Sequence, residues 1–253
     1  MKPIKEVFAK GPAFLAYLTA GDGGMDFSLA AFLALIEGGV DILEIGVPFS
    51  DPVADGPVIQ RAVIRSLAEK TTPSMVLDLI REIRKKSNVP IVLFSYFNPI
   101  LAAKKNNFFK EARKAGVDGL LTVDLPIEEA SEYLSLCRES DISPVFVITP
   151  TTPIERIQLI EKSSNAFLYY ACRKGTTGVR DSLPAGFAEH MQKIKEKVSV
   201  PVVAGFGISN KQMAAEVIRH ADGFVVGSLF VREIEKSSSA EKLLKVAREI
   251  DPR

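Results

Sequence analysis

The chain has 253 residues, 47% of them apolar and 25% charged, and its 32 basic and 31 acidic side chains leave a net charge of +1. That balance, with no basic run interleaved with aromatics, argues against a nucleic-acid partner, and no apolar run approaches the roughly 20 residues of a membrane span. The two cysteines, Cys137 and Cys172, form neither a metal nor a disulfide pattern, so a reducing cytoplasm is expected.

At the amino end, a basic stretch followed by the apolar residues 12–20 mimics a signal peptide, but Glu6 interrupts the positive region and Gly21-Asp22 follows at once. A short helix and a first strand over 13–19 are predicted instead. Further strands are predicted at 41–46, 90–96, 119–124, 144–149, 166–171, 201–204 and 223–226, all nearly continuous apolar runs of the kind buried on both faces of a parallel sheet. Amphipathic stretches at 27–37, 108–114, 127–139, 154–162 and 211–219 have helix length. The gap between the second and third strands is longer and holds two helices, 57–70 and 73–86.

A weak repeat runs through this plan. Gly39-Val40-Asp41 and Gly116-Val117-Asp118 each lie between a helix and a strand, and Ala221-Asp222-Gly223 is a looser copy. Pro90 and Pro201 open strands, where a missing amide donor does least harm. Residues 1–253 are therefore expected to form a single (β/α)8 TIM barrel with an extra helix between strands 2 and 3 and a short N-terminal helix. An open doubly wound sheet would need a dinucleotide-type glycine turn after an early strand, and Gly21-Asp22-Gly23-Gly24 lacks that spacing.

In such barrels the chemistry sits at the carboxyl ends of the strands. The second strand carries Glu44 between Leu43 and Ile45, and the loop from Val47 to Pro57 adds three prolines and the carboxylates Asp51 and Asp55. A carboxylate inside an apolar strand is either paired with a core base or proton-tuned for work on a substrate. Strand alternation puts Ile42, Glu44 and Gly46 on one face. Tyr96 and Asn98 close the third strand and Asp124 ends the fourth, where it could equally cap a turn or helix. Of Tyr169 and Tyr170, one must face each side of the sixth strand, and core packing of Tyr169 is an alternative to function.

Three glycine-bearing segments suit an anion: Gly175-Thr176-Thr177-Gly178 after the sixth strand, Gly205-Phe206-Gly207-Ile208-Ser209 after the seventh, and Val226-Gly227-Ser228 after the eighth. Glycine lets backbone amides approach a phosphate, and a helix start adds favourable partial charge. Other chemistries fail on inventory. His190 and His220 are the only histidines, both in helical segments, and no predicted strand carries a lysine for a Schiff base.

With these residues in place, the chain resembles the alpha subunit of tryptophan synthase. The run from Tyr17 to Asp22, the segment from Glu44 to Pro57, Asp124-Leu125-Pro126, Gly175 to Gly178, Gly205 to Ile208 and Gly227-Ser228 match that family's signatures in order. The resemblance implies cleavage of indole-3-glycerol phosphate to indole and glyceraldehyde 3-phosphate, with no cofactor and no metal in this chain. It also implies docking on a beta subunit that holds pyridoxal phosphate, in an alpha-beta-beta-alpha heterotetramer. By the same resemblance Glu44 is the general acid/base, Asp55 the carboxylate on the indole NH, and Tyr169, Tyr96 and Thr177 line the substrate. Gly178, Gly207, Gly227 and Ser228 hold the phosphate, while Asp51 and Thr177 belong to the elements that close over substrate and report to the partner.

The chemistry suits two carboxylates. Glu44 in apolar surroundings is expected to have a raised pKa, and Asp55, in a polar loop, to stay ionised. Gly23-Gly24 stand where the family usually has a proline, and the run from Ala171 to Thr176 departs from its usual approach to Thr177, so loop closure is expected to differ. The alternative reading is an alpha-type subunit with weak or lost lyase activity that acts mainly as an allosteric activator of the beta subunit; the intact Glu44, Asp55 and glycines argue against it. A different phosphosugar barrel lyase or isomerase is the other rival.

Overall fold

The computed structural model describes residues 4–103, 105–171, 183–205, 207–237 and 239–253. Helix α1 (Ile4–Phe8) leads into β1 (Ala13–Thr19), α2 (Met25–Glu37) and β2 (Ile42–Gly46). Two helices, α3 (Pro57–Ala68) and α4 (Pro73–Arg84), precede β3 (Ile91–Ser95); α5 (Phe97–Ala102) and α6 (Lys105–Ala115) precede β4 (Gly119–Thr122). A 3-10 turn (Ile127–Glu129) and α7 (Ser131–Glu139) lead to β5 (Ser143–Ile148), then α8 (Ile154–Ser163), β6 (Leu168–Ala171), α9 (Phe187–Lys195) and β7 (Val202–Gly205). The chain continues through α10 (Lys211–Ile218), β8 (Gly223–Val226), α11 (Ser228–Glu235) and α12 (Ala240–Ile250).

All eight strands pair in parallel in chain order, and β8 closes on β1 to complete the expected (β/α)8 barrel. Every residue of β1, β2, β4, β7 and β8 is buried, which is why these strands read as unbroken apolar runs rather than alternating ones. The two helices between β2 and β3 each begin with proline in the first turn, Pro57 and Pro73, where no amide is needed. Thr72 caps the second by accepting the Met75 amide. The short amino-terminal helix is also present, and its buried Ile4 fills the space that a side chain on Gly119 would need, so α1 packs under β4.

The repeat seen in the sequence has a physical cause. Asp41, Asp118 and Asp222 each precede an even-numbered strand, and each side chain accepts the amide at the start of the strand before it: Phe14 at 2.8 Å, Ile91 at 2.9 Å and Val202 at 2.8 Å. In return each aspartate's own amide donates to the carbonyl of that same residue, at 2.9 Å in all three cases. The ring of two bonds therefore staples β1 to β2, β3 to β4 and β7 to β8 at the amino-terminal end of the barrel. Each aspartate also meets a base, Arg253, Arg84 and Lys195 respectively. Ahead of β6 there is no such aspartate; Ser164, four residues before the strand, donates its hydroxyl to the carbonyls of Phe167 at 3.0 Å and Pro144 at 3.3 Å. Gly39 and Gly116 have positive φ, 102° and 107°, the backbone that ends the preceding helix.

Helices α9, α11 and α12 lie in stretches for which no helix range is predicted, and two other elements differ from expectation. Residues 127–139 form a 3-10 turn and a helix joined at Ala130 rather than one helix. Helix α5 was not foreseen, because Asn98-Pro99 reads as a strand terminator; Pro99 instead sits in the helix's first turn, where it is tolerated.

Candidate active site

Glu44 lies mid-strand on β2, side by side with Tyr17 of β1. It is 1% exposed, and its Oε1 has no hydrogen-bond partner among the described residues. The structural alternative, a glutamate paired with a core base, is thus not what the described residues contain. Burial alone pushes its pKa up to about 8, which favours the protonated carboxylic acid at neutral pH. Native proteins rarely leave a buried polar oxygen unpartnered, and a catalytic role is one of the reasons they do; the Thr71 and Thr122 hydroxyls are also unpartnered among the described residues, but of the three only Glu44 lines the cavity at the strand ends.

Asp55 departs from the polar-loop expectation. Its neighbours Val53 and Ala54 are exposed, but Asp55 itself turns inward and is 6% exposed. The Tyr96 hydroxyl donates to Asp55 Oδ2 at 2.9 Å and accepts the Ala54 amide at 3.0 Å. Gln60 of α3 donates to the Asp55 carbonyl at 2.9 Å. Burial raises the Asp55 pKa to about 6 against the lowering pull of the Tyr96 hydrogen bond, so the group is mainly ionised above neutrality.

Both carboxylates line one cavity at the carboxyl ends of the strands, together with Tyr17, Ile59, Phe94, Tyr169, Gly205, Gly207, Val225, Gly227 and Ser228. The tyrosines reach it over glycines. A Cβ on Gly46 would stand 2.4 Å from the Tyr17 hydroxyl, and one on Gly205 would stand 2.3 Å from the Tyr169 hydroxyl. Each glycine belongs to the neighbouring strand, so bare backbone makes room for an aromatic ring to lie across the mouth. Gly205, read from sequence as part of the anion cradle, therefore also serves Tyr169.

At the far side, Gly207 has φ 82°, a left-handed backbone that favours glycine, and Gly227 precedes the first turn of α11. The amides that open α11 at buried Ser228 have no carbonyl within the helix to pair with, and together with the helix dipole they suit an anion. The apolar, two-carboxylate half of the cavity and the glycine half can thus take the two ends of an aromatic phosphate.

Of the residues singled out from sequence, Glu44, Asp55, Tyr169, Gly207, Gly227 and Ser228 meet in this cavity. Tyr96 is not among its lining; it stands behind Asp55. Asp51 is exposed on the loop and accepts from the Ser50 hydroxyl at 2.6 Å. Thr177 and Gly178 lie outside the described residues, as does the rest of the 172–182 segment. Asp124 proves to be a cap, accepting the Phe97 amide at the start of α5 at 2.8 Å. Tyr170 faces outward, its hydroxyl 2.6 Å from His190 Nδ1 on α9. The sequence does not mark Tyr17, Ile59, Phe94 and Val225 as cavity lining; strand register places Tyr17 beside Glu44 and Phe94 beside Gly46, a signal available only once the pairing is known.

Comparison with known proteins points one way. A family model described as tryptophan synthase alpha chain matches residues 5–251. The tryptophan synthase alpha chain of Coxiella burnetii (strain CbuK_Q154) is 52% identical over 252 residues, spanning 100% of this chain and 98% of its own. That of Chlamydia felis (strain Fe/C-56) is 46% identical over 257 residues, spanning 100% of both. Among solved structures, tryptophan synthase from Mycobacterium tuberculosis superposes with a TM-score of 0.91 at 30% identity, covering 98% of this chain and 96% of that one. Tryptophan synthase subunit alpha from Legionella pneumophila does so at 0.90 and 31% identity, covering 99% and 97%.

Proposed function

This chain belongs to the tryptophan synthase alpha chain family, lyases that cleave indole-3-glycerol phosphate by a retro-aldol reaction, and on that premise we propose how its own residues carry the cleavage. The observation that supports the assignment is Glu44: a buried acid with an oxygen unpartnered among the described residues, in one cavity with Asp55 and the anion-suited backbone at Gly207, Gly227 and Ser228.

The phosphate of the substrate is held by the amides at Gly207 and the start of α11, with Gly178 as a further contact, and the indole ring lies among Tyr17, Phe94 and Tyr169. Protonated Glu44 gives its proton to indole carbon 3. Positive charge then spreads to the ring nitrogen, where ionised Asp55 accepts the N–H and offsets it. The hydroxyl on the side-chain carbon next to the ring loses its proton to the Glu44 carboxylate just formed. Its electron pair becomes the aldehyde C=O, the bond to carbon 3 breaks, and that pair restores the indole. Protons balance, and Glu44 ends as it began. Tyr96 acts by holding Asp55, and Thr177 with Asp51 serves closure and communication.

An alpha chain implies a beta-subunit partner. We propose an alpha-beta-beta-alpha heterotetramer in the cytoplasm, in which the beta subunit holds pyridoxal phosphate and receives the indole; this chain's carboxylates need no cofactor of their own. Among the described residues no helix is long and apolar enough to cross a membrane. The test is indole release by the purified chain with and without a beta subunit, compared with Asp55→Asn. A loss of roughly a hundredfold or more in the variant is expected, because an amide cannot offset charge on the ring nitrogen. A wild-type chain that releases no indole in either setting, yet activates the beta subunit, would instead establish the purely regulatory reading.

A further inference from the structure

Helices α3 and α11 both start at the cavity. Helix α3 begins two residues after Asp55, contributes Ile59 to the lining and holds the Asp55 carbonyl through Gln60; α11 begins with Ser228. Farther from the cavity they are tied by charge. Arg61 of α3 forks onto Glu235, the last residue of α11, with Nε–Oε1 2.5 Å and Nη2–Oε2 3.0 Å. Arg65, one turn on, reaches the same carboxylate at 3.5 Å and uses its Nε and other terminal nitrogen to grip buried Asp22, at 2.7 and 2.8 Å, in the turn after β1. Ser66 adds a bond to the Ala20 carbonyl at 2.6 Å.

Arg61, Arg65 and Glu235 are 48%, 32% and 32% exposed, so the pairs that Glu235 makes with the two arginines add little to folding stability, unlike the Arg65 grip on buried Asp22. Their placement is the informative part. Four charged groups connect the turn after β1, the helix behind Asp55 and the helix whose first amides face the anion site. We propose that Arg61, Arg65 and Glu235 are positioning residues that set α11 against α3, so that occupancy of the phosphate end fixes the Asp55 loop for the indole end. The proposal rests on the assignment of phosphate and indole to the two halves of the cavity.

The experiment uses the whole chain, with glycerol 3-phosphate as the probe for one half and indole for the other. In the wild type each ligand should raise the affinity for the other by the same factor, because binding linkage is reciprocal. In Glu235→Gln and in Arg61→Gln that factor should fall to about one, and KM for indole-3-glycerol phosphate should rise by roughly fivefold with kcat reduced as well, the scale an exposed ion pair can supply. Arg61→Lys, which keeps the charge but loses the fork, should lie between. Thermal midpoints should barely move. Variants that retain wild-type coupling and KM would overturn the proposal, as would equal weakening of both ligands together with a lowered midpoint, which marks a merely structural pair. A wild type that binds neither probe would instead remove the site assignment on which the proposal rests.

Discussion

The phenolic hydroxyl of Tyr96 bridges the Asp55 side chain and the Ala54 amide, at 2.9 and 3.0 Å, from a strand end 41 residues along the chain. Tyr96 itself is 2% exposed and its ring packs 5.2 Å from that of Phe49. A loop whose tip is exposed is in this way fastened at the one residue that must face inward.

Replacing Tyr96 with Phe removes the bond that favours ionised Asp55 while keeping the ring. The Asp55 pKa, about 6 with the bond in place, should rise. On the acid side, kcat/KM falls as Asp55 gains a proton, so this limb of the pH profile should move to higher pH in Tyr96→Phe while the alkaline limb stays. An unmoved acid limb would assign it to the substrate phosphate, which titrates in the same range.

Glu44→Gln should lower the rate by roughly a hundredfold to ten-thousandfold, the usual worth of a general acid/base, while leaving glycerol 3-phosphate binding intact. The same substitution has a stability signature. Between the ordinary pKa of 4.5 and the folded value of about 8, the folded chain holds a proton that the unfolded chain has released, so wild-type stability falls as pH rises through that window and levels off above it. Glutamine has no such loss. Denaturant unfolding at pH 5 and pH 9 should show the variant gaining on the wild type by on the order of a few kcal/mol; parallel pH dependences would mean that Glu44 does not titrate as a buried acid.

Gly205→Ala puts a methyl 2.3 Å from the Tyr169 hydroxyl, closer than any real contact, so the ring must swing out of the cavity. Overpacking of this kind costs about 1–3 kcal/mol. Activity should fall with it, and a crystal structure should show Tyr169 in a new rotamer; an unmoved ring with full activity would contradict the account of this glycine.

Gly207→Asp introduces both a side chain at φ 82° and a negative charge beside the proposed anion site. Affinity for glycerol 3-phosphate should fall far more than affinity for indole. Equal losses would point to a general loss of structure.

Much of this was legible in the chain because parallel strands buried on both faces write themselves as apolar runs, and Glu44 stands out against such a run. The ends of the elements slipped by a residue or two, since the strand pairing that decides them is not local. What could not be read were relationships across the barrel: that Tyr96 holds Asp55, that Gly46 and Gly205 are the floor for Tyr17 and Tyr169, and that Arg61 finds its carboxylate 174 residues away. The burial of Asp55 is hidden in the sequence for a related reason. A polar loop composition says nothing about which of its residues the next helix will turn inward.

The aspartate staples under β1 and β2, β3 and β4, and β7 and β8 carry a consequence for how the barrel comes together. Each closes a ring between residues only 27, 27 and 20 positions apart, so each strand pair can form before the cylinder does. Assembly by pairs would leave the last, long-range seams for the end, including that between β8 and β1, where Tyr17 comes to lie against Gly227. The active cavity straddles such a seam. Its geometry would then be among the last things acquired in folding.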